Sequence, residues 1–255
     1  MRQSDRLMTS PSQAPPTGMR LMRRAVVSKQ CYSVSQYDDQ IYVAGSGGVY
    51  RGTSNGQSSC VISVDGFVHS VSVNDGGIYT LVYERDTSWS VRVYDSDYRP
   101  TRSWRHIERS GHFNQMAVRK DSVLVSDRDS KTIIQYSLTG EVERRIPCPI
   151  LNNTHTLNGY DIWMCVMSSR LDSVIVSCDG AVSCVHMSTG HCVWSTVSLD
   201  KPTAVCCDDA DRVYVGVGLE SDTIQISVLD GVTGKAVFKF YTRPNFILLH
   251  LYFID

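Results

Sequence analysis

Four arginines surround one tryptophan in residues 99–109, "RPTRSWRHIER". Guanidinium groups pair with phosphates and aromatic rings stack on bases, so this pattern suits single-stranded RNA. Two further arginines occupy a similar position later in the chain, and we predict one candidate binding surface from Arg102, Trp104, Arg105, Arg109, Arg144 and Arg145. The competing interpretation is a solvated outer strand on which arginine stems cover apolar surface.

The distribution of charge favours this competing interpretation. Residues 1–30 contain six Lys or Arg and one Asp, a net charge of +5, so the total of −1 leaves −6 for residues 31–255. An acidic body repels the phosphates of RNA except at the one basic stretch. We therefore expect a protein partner, with RNA as the alternative.

Cysteines and histidines cluster at residues 184–192, where Cys184, His186, His191 and Cys192 could meet across a hairpin and bind a soft cation. However, the chain contains no Cys-x-x-Cys knuckle, and cysteine in apolar strands usually behaves as a small buried hydrophobe. The acidic pairs at 95–97 ("DSD") and 127–129 ("DRD") lack the spacing of a calcium-binding EF-hand loop. We therefore predict no metal, no cofactor, no small-molecule substrate and no catalytic residue.

The elements that would position these residues are short strands. After residue 30 no segment keeps apolar residues at helical spacing for three turns, whereas runs rich in Val, Ile, Tyr and Ser alternate with Asp- and Gly-containing turns. Five units align on a strand, an Asp-containing turn and a second strand. Their equivalent apolar positions lie 37, 45, 51 and 39 residues apart and are Ile41, Ile78, Val123, Val174 and Val213.

A period near 40–45 residues with four short strands per unit is typical of a β-propeller blade. Three late hairpins share a Gly-containing reversal, "SLTG", "MSTG" and "GVTG", for which we predict positive φ at Gly190 and Gly234 and capping of the turn backbone by Ser137, Ser188 and Asp230. We expect an all-β propeller of four-stranded blades over residues 31–255, about five of them visible and about six or more in the complete domain.

The two ends of the chain depart from the repeat. The final "RPNFILLHLYFID" does not continue it, so we expect a propeller that is truncated at its C-terminus or closed by part of "LMRRAVV" (residues 21–27). Residues 1–30 are expected to be a basic, Pro- and Ser-containing linker, with a mitochondrial presequence as the alternative. Nine cysteines, an odd number, and no apolar leader segment favour a reduced, cytoplasmic protein without a membrane span.

Residues 123–146, "VLVSDRDSKTIIQYSLTGEVERRI", resemble one unit of the NHL-repeat propellers. In this resemblance Asp127 matches the family's Asp, Ile133 and Tyr136 its strand positions, and Gly140 its turn glycine. The family's usual Asn after the Asp is absent. The turns "STGHCVW" and "VTGKAVF" resemble those of WD-repeat and quinoprotein-like propellers, which implies that Trp194 and Phe238 pack between blades.

These resemblances imply a non-catalytic interaction platform. Similarity to NHL propellers suggests the substrate-recognition arm of a tripartite-motif ubiquitin ligase, whose catalytic region would lie upstream of these residues. Some NHL propellers bind RNA, which supports the alternative role of the arginine-rich strand. Some six-bladed propellers are calcium-dependent hydrolases, and this activity is a further alternative.

Overall fold

A computed structural model describes residues 31–242 except 38–39, 53–57, 86–87, 107–114, 128–129, 149–150, 152–162, 167–171, 179, 197–201, 209 and 219–223. The predicted tail (1–30), its closing segment 21–27 and the final residues 243–255 lie outside the described residues. The first six strands are β1 (Cys31–Tyr37), β2 (Gln40–Gly52), β3 (Ser58–Asn74), β4 (Gly77–Glu84), β5 (Trp89–Tyr94) and β6 (Pro100–Arg105). Four more are β7 (Met116–Val118), β8 (Ser122–Asp127), β9 (Thr132–Ser137) and β10 (Val142–Pro147). The last eight are β11 (Trp163–Val166), β12 (Ser173–Cys178), β13 (Ala181–His186), β14 (Cys192–Thr196), β15 (Pro202–Cys207), β16 (Arg212–Gly218), β17 (Ile224–Asp230) and β18 (Ala236–Thr242).

These strands form four antiparallel sheets. The first contains β1 to β6 in chain order, and the other three contain β7–β10, β11–β14 and β15–β18, each also in chain order. Within each sheet, strands that follow one another in the sequence therefore form hairpins, as the strong period-2 patterns and the Asp- and Gly-containing turns predict. The five sequence units map onto four sheets because the first two units share the six-stranded sheet.

The two units share a sheet because β2 and β3 are long and bent. β2 pairs with β1 up to Gly45 and with β3 from Ser46 onward. β3 pairs with β2 through residues 58–67 and with β4 through residues 66–74. Close backbone contacts at the bends require glycine, since a Cβ on Gly48 would lie 2.0 Å from the Ile62 carbonyl oxygen and one on Gly66 would lie 2.3 Å from that of Tyr83.

Buried apolar side chains fill the space between consecutive sheets. Between the first two sheets, Leu81, Trp89 and Val91 pack against Val125 and Tyr136, all of them at most 1% exposed. Equivalent clusters join the second sheet to the third and the third to the fourth. A further cluster joins the two units within the first sheet. Consequently every described unit is stabilised by burial against its neighbours and not by a core of its own.

The innermost strands lie side by side: β3 contacts β7, β7 contacts β11, and β11 contacts β15. Small antiparallel sheets arranged in this way around an axis make a β-propeller, so the all-β propeller prediction is confirmed. No helix within the described residues is long and apolar enough to cross a membrane.

The turns between third and fourth strands follow the prediction with one exception. Gly190 and Gly234 have φ values of +70° and +67°, as expected. The Oγ of Ser137 accepts hydrogen bonds from the backbone N–H groups of Thr139 and Glu141, and Asp230 Oδ1 accepts one from the backbone N–H of Thr233. The prediction for Ser188 was wrong, because its hydroxyl bonds the ring of His186 while Thr189 Oγ1 accepts the turn N–H of His191.

Candidate interaction surfaces

Residues 100–105 of the arginine-rich segment form the outer strand β6, and two of the predicted residues in it contact the next sheet. Arg102 Nη1 donates a hydrogen bond of 2.9 Å to the carbonyl oxygen of Leu138. The indole of Trp104 lies over Gly140, where an added Cβ would be 2.7 Å from the ring. Arg102 itself remains exposed, so the side chain both joins two sheets and presents a positive charge to solvent.

The same arrangement recurs at the next two interfaces between sheets. Arg144 Nη1 on β10 donates to the Met187 carbonyl at 3.2 Å, and Trp194 Nε1 on β14 donates to the Gly231 carbonyl at 2.7 Å. In each case the acceptor is the first residue after the third strand of the following unit. The outer strands thus bind each sheet to the next, and the expected packing of Trp194 between blades is confirmed.

The remaining predicted residues are exposed or not described. Arg105 and Arg145 are exposed residues of β6 and β10, and Arg109 lies outside the described residues. Arg145 lies close enough to His106 to affect its pKa. The described arginines of the predicted surface therefore lie on the outer strands of two consecutive sheets, Arg102 and Arg105 on β6 and Arg144 and Arg145 on β10.

A second surface was not predicted, and it consists of aromatic rings at one end of the first sheet. His69 stacks on Tyr32 with ring centroids 4.6 Å apart and meets Trp89 edge-on at 4.9 Å. Tyr83 packs against Trp89 at 4.9 Å, and Phe67 meets Tyr32 edge-on at 6.4 Å. We call these five residues, Tyr32, Phe67, His69, Tyr83 and Trp89, the aromatic cluster.

The members of the aromatic cluster differ in how far they are exposed to solvent. Trp89 and His69 are 1% and 5% exposed, whereas Phe67 is 42% exposed. Burial lowers the pKa of His69 to about 4, so the ring is neutral at physiological pH. Exposed aromatic rings that adjoin buried, uncharged aromatic rings are typical of binding hot spots. Tyr83 and Trp89 flank the loop between β4 and β5, but Tyr32 and Phe67 lie too far away in sequence to be associated with it.

His106, which directly follows β6, belongs to a buried polar contact. Its Nδ1 lies 2.7 Å from the Tyr136 hydroxyl, and Asp127 nearby is fully buried. Burial lowers the pKa of His106 to about 4, an effect that Arg145 reinforces and Asp127 opposes. Its Nε2 is also buried and has no hydrogen-bond partner among the described residues. This contact joins the end of β6 to β9 and thus links the second unit to the third.

One catalytic pattern was overlooked in the sequence. Gly52-Thr53-Ser54-Asn55-Gly56 has the Gly-x-Ser-x-Gly spacing of a nucleophile elbow. That motif requires a turn from a strand into a helix, whereas this segment joins the antiparallel strands β2 and β3. Residues 53–57 themselves lie outside the described residues.

The cysteines and histidines near residues 184–192 do not converge into a site. Cys184 is buried between the last two sheets, where burial raises the pKa of its thiol. His186 bonds Ser188, as described above. Among the residues that the structure describes, no three His, Cys, Asp or Glu side chains are placed to hold a metal ion.

Comparison with known proteins supports the fold. No protein-family model and no curated protein matches the chain. A protein of unknown function from Bacteroides caccae is 12% identical over 86% of this chain and 84% of its own, with a TM-score of 0.62. A chain of the mitotic checkpoint complex is 14% identical, over 93% of this chain and 76% of its own, with a TM-score of 0.59. The WD40 propeller domain of Doa1 is 15% identical, over 88% and 87%, with a TM-score of 0.55. The chain therefore has the fold of a β-propeller similar to the WD-repeat propellers.

Proposed function

We propose that this chain is a non-catalytic β-propeller that binds other proteins. The observation that carries the proposal is the aromatic cluster, in which the exposed Phe67 ring contacts Tyr32 and the Tyr32 ring stacks on the buried His69. Exposed aromatic side chains on a rigid base bind partners at a low cost in conformational entropy. The packed sheets supply that rigidity, and the loops between strands are free to vary.

The fold similarities agree with such a role. Propellers of WD40 type generally serve as interaction scaffolds, and one of the similar structures belongs to a multiprotein assembly, the mitotic checkpoint complex. The positions that resemble an NHL repeat support a narrower proposal. Asp127 ends β8, Ile133 and Tyr136 lie in β9, and Gly140 occupies the following turn with a φ of +94°. On this basis we propose a substrate-recognition arm of a cytoplasmic ubiquitin ligase.

Affinity capture tests the general proposal. The full chain is immobilised and exposed to nuclease-treated cell extract, and bound proteins are quantified by mass spectrometry. Phe67→Ser should lower recovery of the specific partners by about tenfold, because it removes the exposed ring without opening the core. Val193→Ser is the matched control, since Val193 is 47% exposed on the outer strand β14. Equal recovery with Phe67→Ser and with wild type would contradict the role of the aromatic cluster.

The narrower proposal needs a separate measurement. Captured partners should carry more ubiquitin when the chain is overproduced together with its upstream region, and a fluorescent fusion should be cytoplasmic. Unchanged ubiquitylation of every captured partner would exclude the ligase arm while leaving the interaction platform in place.

RNA binding is the second candidate function, supported by the exposed guanidinium groups of Arg105 and Arg145. Filter binding to single-stranded RNA should then weaken steeply with salt, and the double variant Arg105→Ala/Arg145→Ala should abolish it. We expect this assay to show no such binding, because residues 31–255 carry a net charge of −6. Salt-sensitive binding that requires these two arginines would favour the RNA function instead.

A further inference from the structure

The aromatic cluster lies where the N-terminal tail (residues 1–30) joins the fold. The first described residue is Cys31, and the next is Tyr32, whose ring contacts Phe67 and stacks on His69. The tail is therefore attached to the strand that supplies one ring of the cluster. A covalently attached segment has a high effective concentration at a nearby surface, so even a weak contact between the two is populated.

The exposed part of the cluster offers ring surface without an uncompensated charge. Phe67 lies opposite Tyr83 on the neighbouring strand, and Tyr83 lies opposite Trp89 on the next. The carboxylates closest in sequence to these rings are already paired. Asp65, two residues before Phe67, and Glu84, directly after Tyr83, each lie 2.7 Å from an arginine nitrogen. The segment that suits this surface is therefore apolar and uncharged where it touches the rings.

The tail contains a segment of this kind at residues 9–18, "TSPSQAPPTG". It has no charged residue, and its prolines are Pro11, Pro15 and Pro16. Proline fixes its own φ and disfavours the helical conformation of the residue before it, so an Ala-Pro-Pro sequence favours polyproline II. Segments with this preference bind to surfaces lined by aromatic side chains and lose little conformational entropy in doing so.

Charge and chain length both allow the tail to reach the cluster. Residues 1–30 carry a net charge of +5 and residues 31–255 one of −6, so the tail is attracted to the body of the protein. Fourteen residues separate Pro16 from Cys31, and a connection of that length spans up to about 50 Å. This span is more than enough to bring the prolines onto rings that adjoin Tyr32.

We propose that the proline-containing segment of the chain's own tail, Pro11–Pro16, binds to the aromatic cluster and competes there with protein partners. This inference deepens the proposed function and rests on it, because it adds regulation to the same site. With an effective concentration of about 1 mM and a Kd of about 0.2 mM for the free segment, the tail would occupy the cluster in about five-sixths of the molecules. The apparent affinity for a competing ligand would then be about sixfold lower.

Fluorescence anisotropy of a labelled peptide of residues 9–18 tests the contact on the full chain. The variant Pro11→Ser/Pro15→Ser/Pro16→Ser should leave the cluster free and bind the peptide with a Kd below about 1 mM. The wild type should bind it about sixfold more weakly, because its own tail competes. An equal Kd for the two proteins, or no binding to the variant at that concentration, would overturn the proposal.

A control in the tail shows whether the prolines are responsible. Thr9→Ala/Ser10→Ala/Thr17→Ala changes the same number of residues in the same segment but keeps all three prolines, so its Kd for the peptide should stay within about twofold of the wild-type value. A gain in affinity equal to that of the proline variant would contradict the recognition of proline.

Two substitutions in the body locate the binding. Phe67→Ser, added to the proline variant, should weaken the peptide about tenfold or more. Val193→Ser, at a residue that is 47% exposed on β14, should leave the Kd within about twofold in the same background, and thermal unfolding checks that both variants fold. Equal effects of the two substitutions would place the peptide elsewhere and overturn the proposal.

Sedimentation velocity distinguishes the chain's own tail from that of a second copy. The wild type should sediment as a monomer at the protein concentrations of the anisotropy experiment. A dimer that the proline variant no longer forms would assign the contact to a second copy and overturn competition by the chain's own tail.

Affinity capture separates this proposal from the general one. The proline variant should recover the Phe67-dependent partners about sixfold more efficiently than the wild type does. If both recover them equally, the interaction platform stands and the proposed competition fails. If the peptide binds as expected but neither protein captures a partner, the proposed function fails, whereas the contact between the tail and the cluster stands.

Discussion

Gly234→Ala should destabilise the propeller for two reasons, the left-handed backbone conformation at this position and a steric clash with Trp194. Gly234 lies in the turn between β17 and β18 with a φ of +67°. An added Cβ would be 2.6 Å from Cδ2 and from Cε3 of Trp194 on the preceding sheet. Trp194 cannot move away freely, because its Nε1 is bonded to the Gly231 carbonyl at 2.7 Å.

The left-handed conformation costs an alanine about 1 kcal/mol. Forcing an extra methyl group into a packed contact costs about 1–3 kcal/mol more. We therefore expect Gly234→Ala to lower the free energy of unfolding by about 3 kcal/mol. In a Trp194→Leu background the steric contribution should disappear, so the same substitution should cost only about 1 kcal/mol there.

Urea denaturation followed by circular dichroism measures these free energies, provided that each variant unfolds in one transition with an unchanged m value. Gly76→Ala is the matched control. Gly76 lies in the turn between β3 and β4 without a positive φ, and its added Cβ would approach no atom closer than 3.2 Å. An equal cost of Gly234→Ala in the wild-type and Trp194→Leu backgrounds would refute the steric argument. A cost below that of Gly76→Ala would refute both contributions.

Three further predictions concern pH, thiol chemistry and turn capping. Burial lowers the pKa of His69 and of His106 from 6.5 to about 4. Between these two pH values the unfolded chain therefore binds more protons than the folded chain. The free energy of unfolding should fall as the pH drops from about 6.5 to about 4, by an amount on the order of 3 kcal/mol for each histidine. Urea titrations of His69→Phe and His106→Phe should each show a shallower fall, and an unchanged pH slope in both would contradict the assignment. Among the described cysteines Cys60 is exposed, so iodoacetamide should modify its thiol first, as detected by peptide mapping. Faster labelling of any buried thiol would be evidence against this packing. Ser137→Ala should lower the free energy of unfolding by about 1 kcal/mol, because it removes the acceptor of two backbone N–H groups. Ser188→Ala should lower it less in the same denaturation assay. The reverse order would contradict the observed turn geometry.

Much of the local structure could be predicted from the sequence. The alternation of apolar and polar residues depends only on the two-residue period of a strand, so the five equivalent positions from Ile41 to Val213 all fall in strands. Turn conformations are also local, which is why the positive φ values at Gly190 and Gly234 were predicted correctly. Ser188 was misassigned because it lies inside its turn, two residues after His186, whereas Ser137 and Asp230 themselves occupy the position that closes the turn.

The candidate sites could be predicted only in part. The arginine-rich segment was correctly placed in an outer strand, but its sequence does not show that Arg102 reaches Leu138, 36 residues later. The aromatic cluster brings together Tyr32 and Trp89 through His69, and these residues share no motif.

The sequence by itself determined the all-β class, the repeat, the strand-and-turn order and the conformations of most turns, because these follow from interactions between residues close together in the chain. Only the tertiary structure decided that the first two units share one sheet and that outer-strand side chains join each sheet to the next. Those features depend on how sheets stack around the axis, and stacking brings together side chains whose separation in sequence exceeds any local period.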